Sequence, residues 1–333
     1  MTFEQITADI NRKIYHPVYL LHGEEPYFID AITDLIEKTV LTETEREFNQ
    51  TIVYGRDIEI GSIIDMARRF PMMANYQVVI VKEAQELEKK IEDLQPYIDR
   101  IQPSTILVLA YKYKKFDKRK TLAKSIEKKG VLFESAKLYD NQVPSWINEQ
   151  IKAKGFAIRP EATQMLAEYL GTDLSRISNE IEKLLINLPA GSTIDGTIIE
   201  RNIGISKDYN VFELQNALGT KDIKKANRII NYFAANTKQN PTIMVVTVLF
   251  GFFMKLMIYH QLTDKSRNNA ASALSVNPFF VKDYITAAEN YSFRKLRAII
   301  GLLREYDLRL KGINNGSTDE SELLRELIFK ILH

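Results

Sequence analysis

Short apolar runs alternate with amphipathic segments over the first 140 residues of the chain. Five runs have the length and the β-branched or aromatic composition of buried strands: PVYLLH (17–22), NQTIVYG (49–55), YQVVIVKEA (76–84), STILVLAY (104–111) and VLFESA (131–136). Segments with helical spacing separate them, at about 26–40, 59–70, 86–101 and 118–130. Strands that alternate with helices form mostly parallel sheets covered on both faces. Residues 1–140 are therefore predicted to form an α/β domain around a parallel five-stranded sheet.

After NQVP (141–144) the pattern changes to helices only. Residues 141–205 predict a small helical domain, with helices at 144–155, 159–171, 172–188 and 193–204. Longer segments predict a C-terminal helical bundle over 206–333, with helices at 210–218, 221–235, 241–263, 277–289, 292–312 and 319–332. The most apolar run, PTIMVVTVLFGFFM (241–254), is shorter than the roughly 20 residues that a membrane span needs. We therefore expect a buried helix there, no membrane partner, and a cytoplasmic protein.

The composition narrows the chemistry that the chain can perform. With 333 residues, 45% hydrophobic and 26% charged, the chain can build more than one packed core. It contains no cysteine, which excludes disulfides, thiol nucleophiles and thiolate metal sites. The four histidines, at positions 16, 22, 260 and 333, are too scattered for a local metal or triad spacing. Because the formal net charge is only +2, a polyanion would have to meet a local basic patch.

The loop after the first strand is where an open α/β sheet would bind a nucleotide. A phosphate loop, G-x-x-x-x-G-K-(S/T), supplies a nest of backbone N–H groups, a lysine and a metal-binding hydroxyl. In LLHGEEPYFID (20–30), Gly23 is the only glycine, and Pro26 suits the first turn of a helix. Glu24 and Glu25 place negative charge at the helix end that would attract phosphate. The pattern predicts a tight turn into a self-capped helix, with a degenerate nucleotide site as the alternative.

A second loop, RRFPMMANYQ (68–77), carries large apolar side chains between a helix and a strand. Pro71 ends the helix and biases Phe70 towards extended dihedral angles. Phe70, Met72 and Met73 then lie in a connection, and connections usually run over the surface. Two interpretations remain: the side chains tuck under the edge of the sheet, or they form an exposed contact for a partner, to which methionine adapts well.

The segment YKYKKFDKRKTLAKSIEKKG (111–130) is strongly basic. Nine Lys or Arg residues against two acidic residues give it a local net charge of +7. The densest part contains the candidates for contact with DNA or with a neighbouring subunit, namely Lys112, Lys114, Lys115, Lys118, Arg119 and Lys120. Basic residues interleaved with aromatics suit DNA phosphates. An acidic face on another subunit, or a merely solvated helix face, would explain the same pattern.

Six segments, in this order along the chain, resemble a known family: VYLLHGEEPYFID (18–30), YKYKKFDKRKTL (111–122), VPSWINEQIKAKGFAI (143–158), LAEYLGTDLSRISNEIEKLL (166–185), VFELQNAL (211–218) and YDLRLKG (306–312). Together they resemble the delta subunit of the bacterial DNA polymerase III clamp loader. The resemblance implies an AAA+-like α/β domain that binds no ATP and a helical lid domain. It also implies a C-terminal collar domain that joins the ATPase subunits and delta-prime.

The resemblance also implies a function. Members of the family bind the ring-shaped sliding clamp and open it for loading onto primed DNA, as non-catalytic, cofactor-free subunits of a DNA-directed DNA polymerase holoenzyme. Their clamp contact is an apolar pair before a run similar to A-x-x-Q. Here that pair is Met72 and Met73 before ANYQ (74–77), with Phe70 and Pro71 beside it. The alternatives are an NTPase with an atypical phosphate site and a stand-alone DNA-binding protein that uses residues 111–130.

Overall fold

The computed structural model describes residues 1–204, 206, 208–238, 240–314 and 318–333. Tertiary contacts divide the chain into two compact units, Met1–Leu138 and Tyr139–His333. The predicted boundary between the lid and collar domains falls at residue 205, which lies outside the described residues. The division of the second unit into two domains therefore stays a prediction.

The first unit is built on a parallel sheet of five strands. These are β1 (Val18–Gly23), β2 (Gln50–Tyr54), β3 (Gln77–Lys82), β4 (Thr105–Lys112) and β5 (Val131–Ser135). Their order across the sheet is β2-β3-β4-β1-β5. All neighbouring strands run parallel, so that Val18 pairs with Leu107 and Tyr19 with Val131. Because β1, β3 and β4 are buried almost throughout, their sequences are nearly continuous apolar runs. All five predicted strands are confirmed.

Helices cover both faces of this sheet. They are α1 (Phe3–Asn11), α2 (Pro26–Thr39), α3 (Glu43–Asn49), α4 (Ile60–Ala67), α5 (Gln95–Asp99) and α6 (Thr121–Lys129). The face of the sheet that carries Leu107 packs with Ile63 of α4 and Ile126 of α6. The face that carries Val108 packs with residues of α1 and α2. Helices α2, α4 and α6, which the spacing predicted, thus contribute to the two apolar layers.

The single helix predicted at about 86–101 is wrong. The segment forms two 3₁₀ turns, Ala84–Leu87 and Ile91–Leu94, before the short α5. Glu83 adopts a left-handed backbone, with φ 54°, just before the first of these turns. Pro96 lies in the first turn of α5, where its missing N–H does no harm, and it could not stand inside a longer helix.

Helix α3 was not predicted because ETEREFN has almost no apolar periodicity. A capping box forms it instead. The N–H of Thr42 donates to the carboxylate of Glu45 at 2.8 Å. The pattern T-x-x-E at 42–45 was the available signal for this helix.

The second unit is mainly helical. Its helices are α7 (Val143–Ala153), α8 (Pro160–Leu170), α9 (Leu174–Ile186), α10 (Gly196–Ile203), α11 (Val211–Gly219), α12 (Ile223–Ala235), α13 (Thr242–Gln261), α14 (Arg267–Leu274), α15 (Val281–Asn290), α16 (Phe293–Leu310) and α17 (Glu320–Leu332). The prediction of helices alone over 141–205 is wrong, since β6 (Ala157–Ile158) pairs in parallel with β7 (Thr193–Ile194). Two-residue strands leave no readable alternation in a sequence. Helix α14 was not predicted either, and the helix expected from 277 begins as a 3₁₀ turn, Pro278–Phe280.

Helix α13 is the most apolar element of the second unit. By length and composition alone, it could cross a membrane. Val245, Leu249 and Phe253 are buried in a cluster that includes Leu303 of α16. The burial that was predicted for the whole helix therefore holds for one face only, because Ile243, Phe250 and Ile258 are exposed.

Candidate partner-binding site

The turn between β1 and α2 is closed by bonds within the protein. Glu25 is buried, and its carboxylate accepts the N–H of Tyr27 at 3.0 Å, so that α2 caps itself. The N–H of Glu25 donates to the carbonyl of Ser135 at 3.3 Å, and Ser135 Oγ donates to the carbonyl of Glu25 at 2.6 Å. The predicted self-capped turn is confirmed. Two backbone N–H groups that could have faced a phosphate already have protein acceptors.

Gly23 explains how closely this turn approaches β5. Its φ is 145°, and a Cβ at this position would lie 2.0 Å from the carbonyl oxygen of Ser135. Only glycine fits there. At the end of β3, where a nucleotide site would need an acidic metal ligand, Lys82 forms an ion pair with Glu37 at 3.1 Å.

The connection between α4 and β3 presents its apolar side chains to solvent. Phe70, Met72 and Met73 are 77%, 62% and 102% exposed, while Pro71 is half-buried. The side chains therefore do not tuck under the edge of the sheet. Met73 has a left-handed backbone, with φ 53°, which costs a residue other than glycine about 1 kcal/mol.

Asn49, at the end of α3, holds the backbone of this connection. Asn49 is only 2% exposed. Its Oδ1 accepts the N–H of Met72 at 2.6 Å, and its Nδ2 donates to the carbonyl of Met72 at 2.9 Å. The same Nδ2 donates to the carbonyl of Glu45 at 3.0 Å, within α3. Sequence reasoning missed Asn49, because no local pattern links residues 23 positions apart.

The base of the connection is fixed as well. Gln77 is buried at the start of β3, and its Nε2 donates to the carbonyl of Met66 at 3.0 Å. The hydroxyl of Tyr97 donates to the carbonyl of Ala67 at 3.3 Å. The exposed side chains thus project from a backbone that is bonded at its start and in its middle.

Phe48 adds to the same edge of the unit. It is 68% exposed and directly precedes Asn49, whose side chain bonds Met72. We call Phe48, Phe70, Met72 and Met73 the apolar edge surface. Single exposed apolar residues are common on soluble proteins, whereas a group of four on adjoining segments is typical of a contact site.

The six basic candidates are all paired with acidic side chains. The pairs are Lys112–Asp30 (2.5 Å), Lys114–Glu88 (2.9 Å), Lys115–Glu134 (3.3 Å), Lys118–Glu134 (2.6 Å), Arg119–Asp117 (2.9 Å) and Lys120–Glu92 (3.1 Å). Four of these carboxylates come from other elements and reduce the local charge of +7 to +3. Most of the pairs are at the surface, where each contributes only about 0–1 kcal/mol.

Lys118, Arg119 and Lys120 do not lie on the helix that was predicted at 118–130. Helix α6 begins at Thr121, so 112–120 is the end of β4 and a turn, not the start of a helix. None of the six candidates therefore lies within a helix, whereas Lys124, Lys128 and Lys129 of the same basic segment lie on α6. Buried His22 anchors this turn, because its Nδ1 accepts the N–H of Phe116 at 3.1 Å. Within the described part of the chain, no group of three or more acidic or histidine side chains could hold a metal ion.

A parallel sheet in the order β2-β3-β4-β1-β5, flanked by helices and followed by a helical unit, defines an AAA+-like protein. The closed turn after β1 distinguishes it from members of that class that carry a phosphate loop. One family model, described as DNA polymerase III, delta subunit, matches residues 19–136. A second, DNA polymerase III delta subunit, C-terminal domain, matches residues 208–331. The chain belongs to the family of DNA polymerase III delta subunits.

Individual relatives agree with this assignment. DNA polymerase III subunit delta of Bacillus subtilis (strain 168) is 27% identical over 329 residues, which cover 95% of this chain and 93% of the relative. The probable DNA polymerase III subunit delta of Aquifex aeolicus (strain VF5) is 22% identical over 280 residues, with coverage of 80% and 77%. The solved structure of the DNA clamp loader delta protein of Bacillus subtilis matches with a TM-score of 0.55 and 25% identity, over 99% of both chains. The predicted resemblance and fold class are confirmed.

Proposed function

We propose that the protein is a non-catalytic clamp-loader subunit that grips the sliding clamp through the apolar edge surface. By holding the ring there, it opens one interface so that the clamp can be loaded on primed DNA. One observation carries this proposal: Phe70, Met72 and Met73 are exposed on a loop whose backbone is bonded to the buried Asn49. Family membership supplies the partner.

The apolar side chains can supply enough binding free energy for this role. Burying one large apolar side chain is worth about 1.5–3 kcal/mol. Two methionines alone would then contribute at least about 3 kcal/mol, which is roughly a hundredfold in affinity. The two bonds from Asn49 to the backbone of Met72 restrict the free loop, which lowers the conformational entropy lost on binding.

We assign the other predicted partners to the assembled loader. Residues 206–333 are proposed to form the collar domain that joins the ATPase subunits and delta-prime, and 141–205 the lid domain. Primed DNA is reached within that assembly, in the cytoplasm. The ion pairs along 112–120 favour this over a stand-alone DNA-binding protein, because each lysine that meets a phosphate must first leave a carboxylate.

We also propose that this chain binds no ATP. The N–H of Tyr27 is capped by Glu25, and Glu25 is bonded to Ser135 in both directions. A triphosphate would have to displace a buried carboxylate and break these bonds at the helix end that it needs. An NTPase with an atypical phosphate site is disfavoured for this reason.

The test replaces Met72 and Met73 together by serine. Both side chains are exposed, so we expect the double variant to fold normally and to lose at least about a hundredfold in affinity for the sliding clamp of the same organism. Surface plasmon resonance with immobilised clamp measures the change, and circular dichroism checks the fold. Ile186→Ser is the matched control, because Ile186 is an equally exposed apolar residue on α9. Unchanged clamp affinity in the double variant would refute the site.

A further inference from the structure

The two hydrogen bonds between Asn49 and Met72 resemble those that two paired residues of neighbouring strands exchange, except that a side chain supplies one partner. We call this pair of bonds the rung. A planar amide accepts the N–H of Met72 and donates to its carbonyl, at 2.6 and 2.9 Å. Asparagine is suited to this because its short side chain carries an acceptor and a donor together. Leucine has the same shape and neither group, and aspartate at neutral pH is an acceptor only.

The position of Asn49 makes this rung rigid. Its side chain is buried, and its Nδ2 is also bonded to the carbonyl of Glu45 within α3. Helix α3 is in turn held by the capping box of Thr42 and Glu45. The backbone of Met72 is therefore tied to a folded element, while the side chains of Met72 and Met73 stay in solvent.

We infer that Asn49 is a positioning residue of the clamp-binding site, which holds Met72 and Met73 in the arrangement that the clamp recognises. The inference rests on the function proposed above. A loop that is ordered before binding does not pay its conformational entropy during binding. Without the rung, the two methionines would remain exposed, but their backbone would sample many conformations, and affinity would fall although no contacting side chain had changed.

Two variants test this, with one matched control. Asn49→Leu removes all three bonds, and Asn49→Asp keeps an acceptor for the N–H of Met72 but loses both donated bonds. Asn290→Leu is the control, because Asn290 also donates from its side chain to a distant backbone carbonyl, that of Gly219 in the second unit. Two quantities are measured: affinity for the sliding clamp, and hydrogen exchange of the Met72 amide compared with amides of β3.

We expect clamp affinity to fall about tenfold or more in Asn49→Leu, less in Asn49→Asp, and not at all in Asn290→Leu. Exchange of the Met72 amide should rise by at least about tenfold in Asn49→Leu, while the amides of β3 stay protected. Adding Asn49→Leu to the double serine variant should cause no further loss of binding, because the side chains that it positions are gone.

The outcomes separate this inference from the proposed function. If the double serine variant loses clamp binding but both Asn49 variants bind as tightly as the wild type, the positioning role is overturned and the site stands. If the Met72 amide exchanges at the wild-type rate in Asn49→Leu, the positioning role is likewise overturned. If Asn49→Leu does not fold, Asn49→Asp alone decides, and unchanged affinity there counts against the role.

Discussion

At the scale of single residues, burial determines the protonation state of His22. Desolvation lowers the pKa of its imidazole from the ordinary 6.5 to about 4, with the charges of Lys118 and Lys115 acting in the same direction and that of Glu134 opposing them. The ring is therefore neutral at pH 7, so that Nδ1 can accept the N–H of Phe116. This bond joins β1 to the turn that carries the basic residues.

Because of His22, we expect the first unit to lose stability in acid. The unfolded chain gains the proton near pH 6.5 and the folded chain only near pH 4, so the unfolded state binds more protons between these values. The contribution of His22 to the free energy of unfolding is therefore fully present above pH 6.5. It falls as the pH drops towards 4, by up to about 3 kcal/mol. His22→Asn keeps an acceptor for the N–H of Phe116, but its side chain does not take up a proton. The variant should therefore not show this part of the decrease in stability at low pH. Urea unfolding at pH 7, 5.5 and 4.5 measures it, and identical pH dependence of both proteins would contradict the prediction.

At the scale of elements, the strand-to-helix turn depends on one glycine. We expect Gly23→Ala to destabilise the protein by more than about 2 kcal/mol, because φ is 145° and the new Cβ would meet a backbone oxygen at 2.0 Å. Gly61→Ala is the control, since Gly61 lies in α4 with no atom within 4 Å of its added Cβ. Alanine there should stabilise the helix by about 0.5–1 kcal/mol. Thermal or urea unfolding distinguishes the two, and equal stabilities would refute the prediction.

At the same scale, some strands and helices could be predicted from the sequence and others could not. Apolar runs predicted all five strands of the sheet. The signal was clearest for β1, β3 and β4, because their side chains face packed layers on both sides. Helix α3 and the strand pair β6–β7 were missed, since one is polar and the other is two residues long. Pro96 was the overlooked signal against a long helix at 86–101.

The candidate site was predictable only in part. Pro71 and the apolar residues around it mark the loop, and family resemblance gives it a role. Its order depends on Asn49, and the state of the basic segment depends on Glu88 and Glu134. These contacts join residues far apart in sequence, so they exist only once the sheet brings its loops together.

At the scale of the whole molecule, the protein is expected to act through partners and not through nucleotide. Millimolar ATP with magnesium should leave the melting temperature of the isolated chain unchanged, because a ligand stabilises a protein only by binding its folded state. An ATPase subunit of the same loader, melted under the same conditions, provides the positive control. A rise of several degrees for this chain would contradict the prediction, since about 2.7 kcal/mol is gained at a hundred times the Kd.

The mutual bonds of Glu25 and Ser135 have an evolutionary consequence. A mutation that opened this turn would remove the helix cap and leave buried polar groups without hydrogen-bond partners. This cost would arise long before a lysine and a second glycine could be acquired. Each early step towards a nucleotide cradle would therefore be selected against on folding grounds alone. The bonds that fold this turn thus also oppose the gain of a phosphate loop at this position.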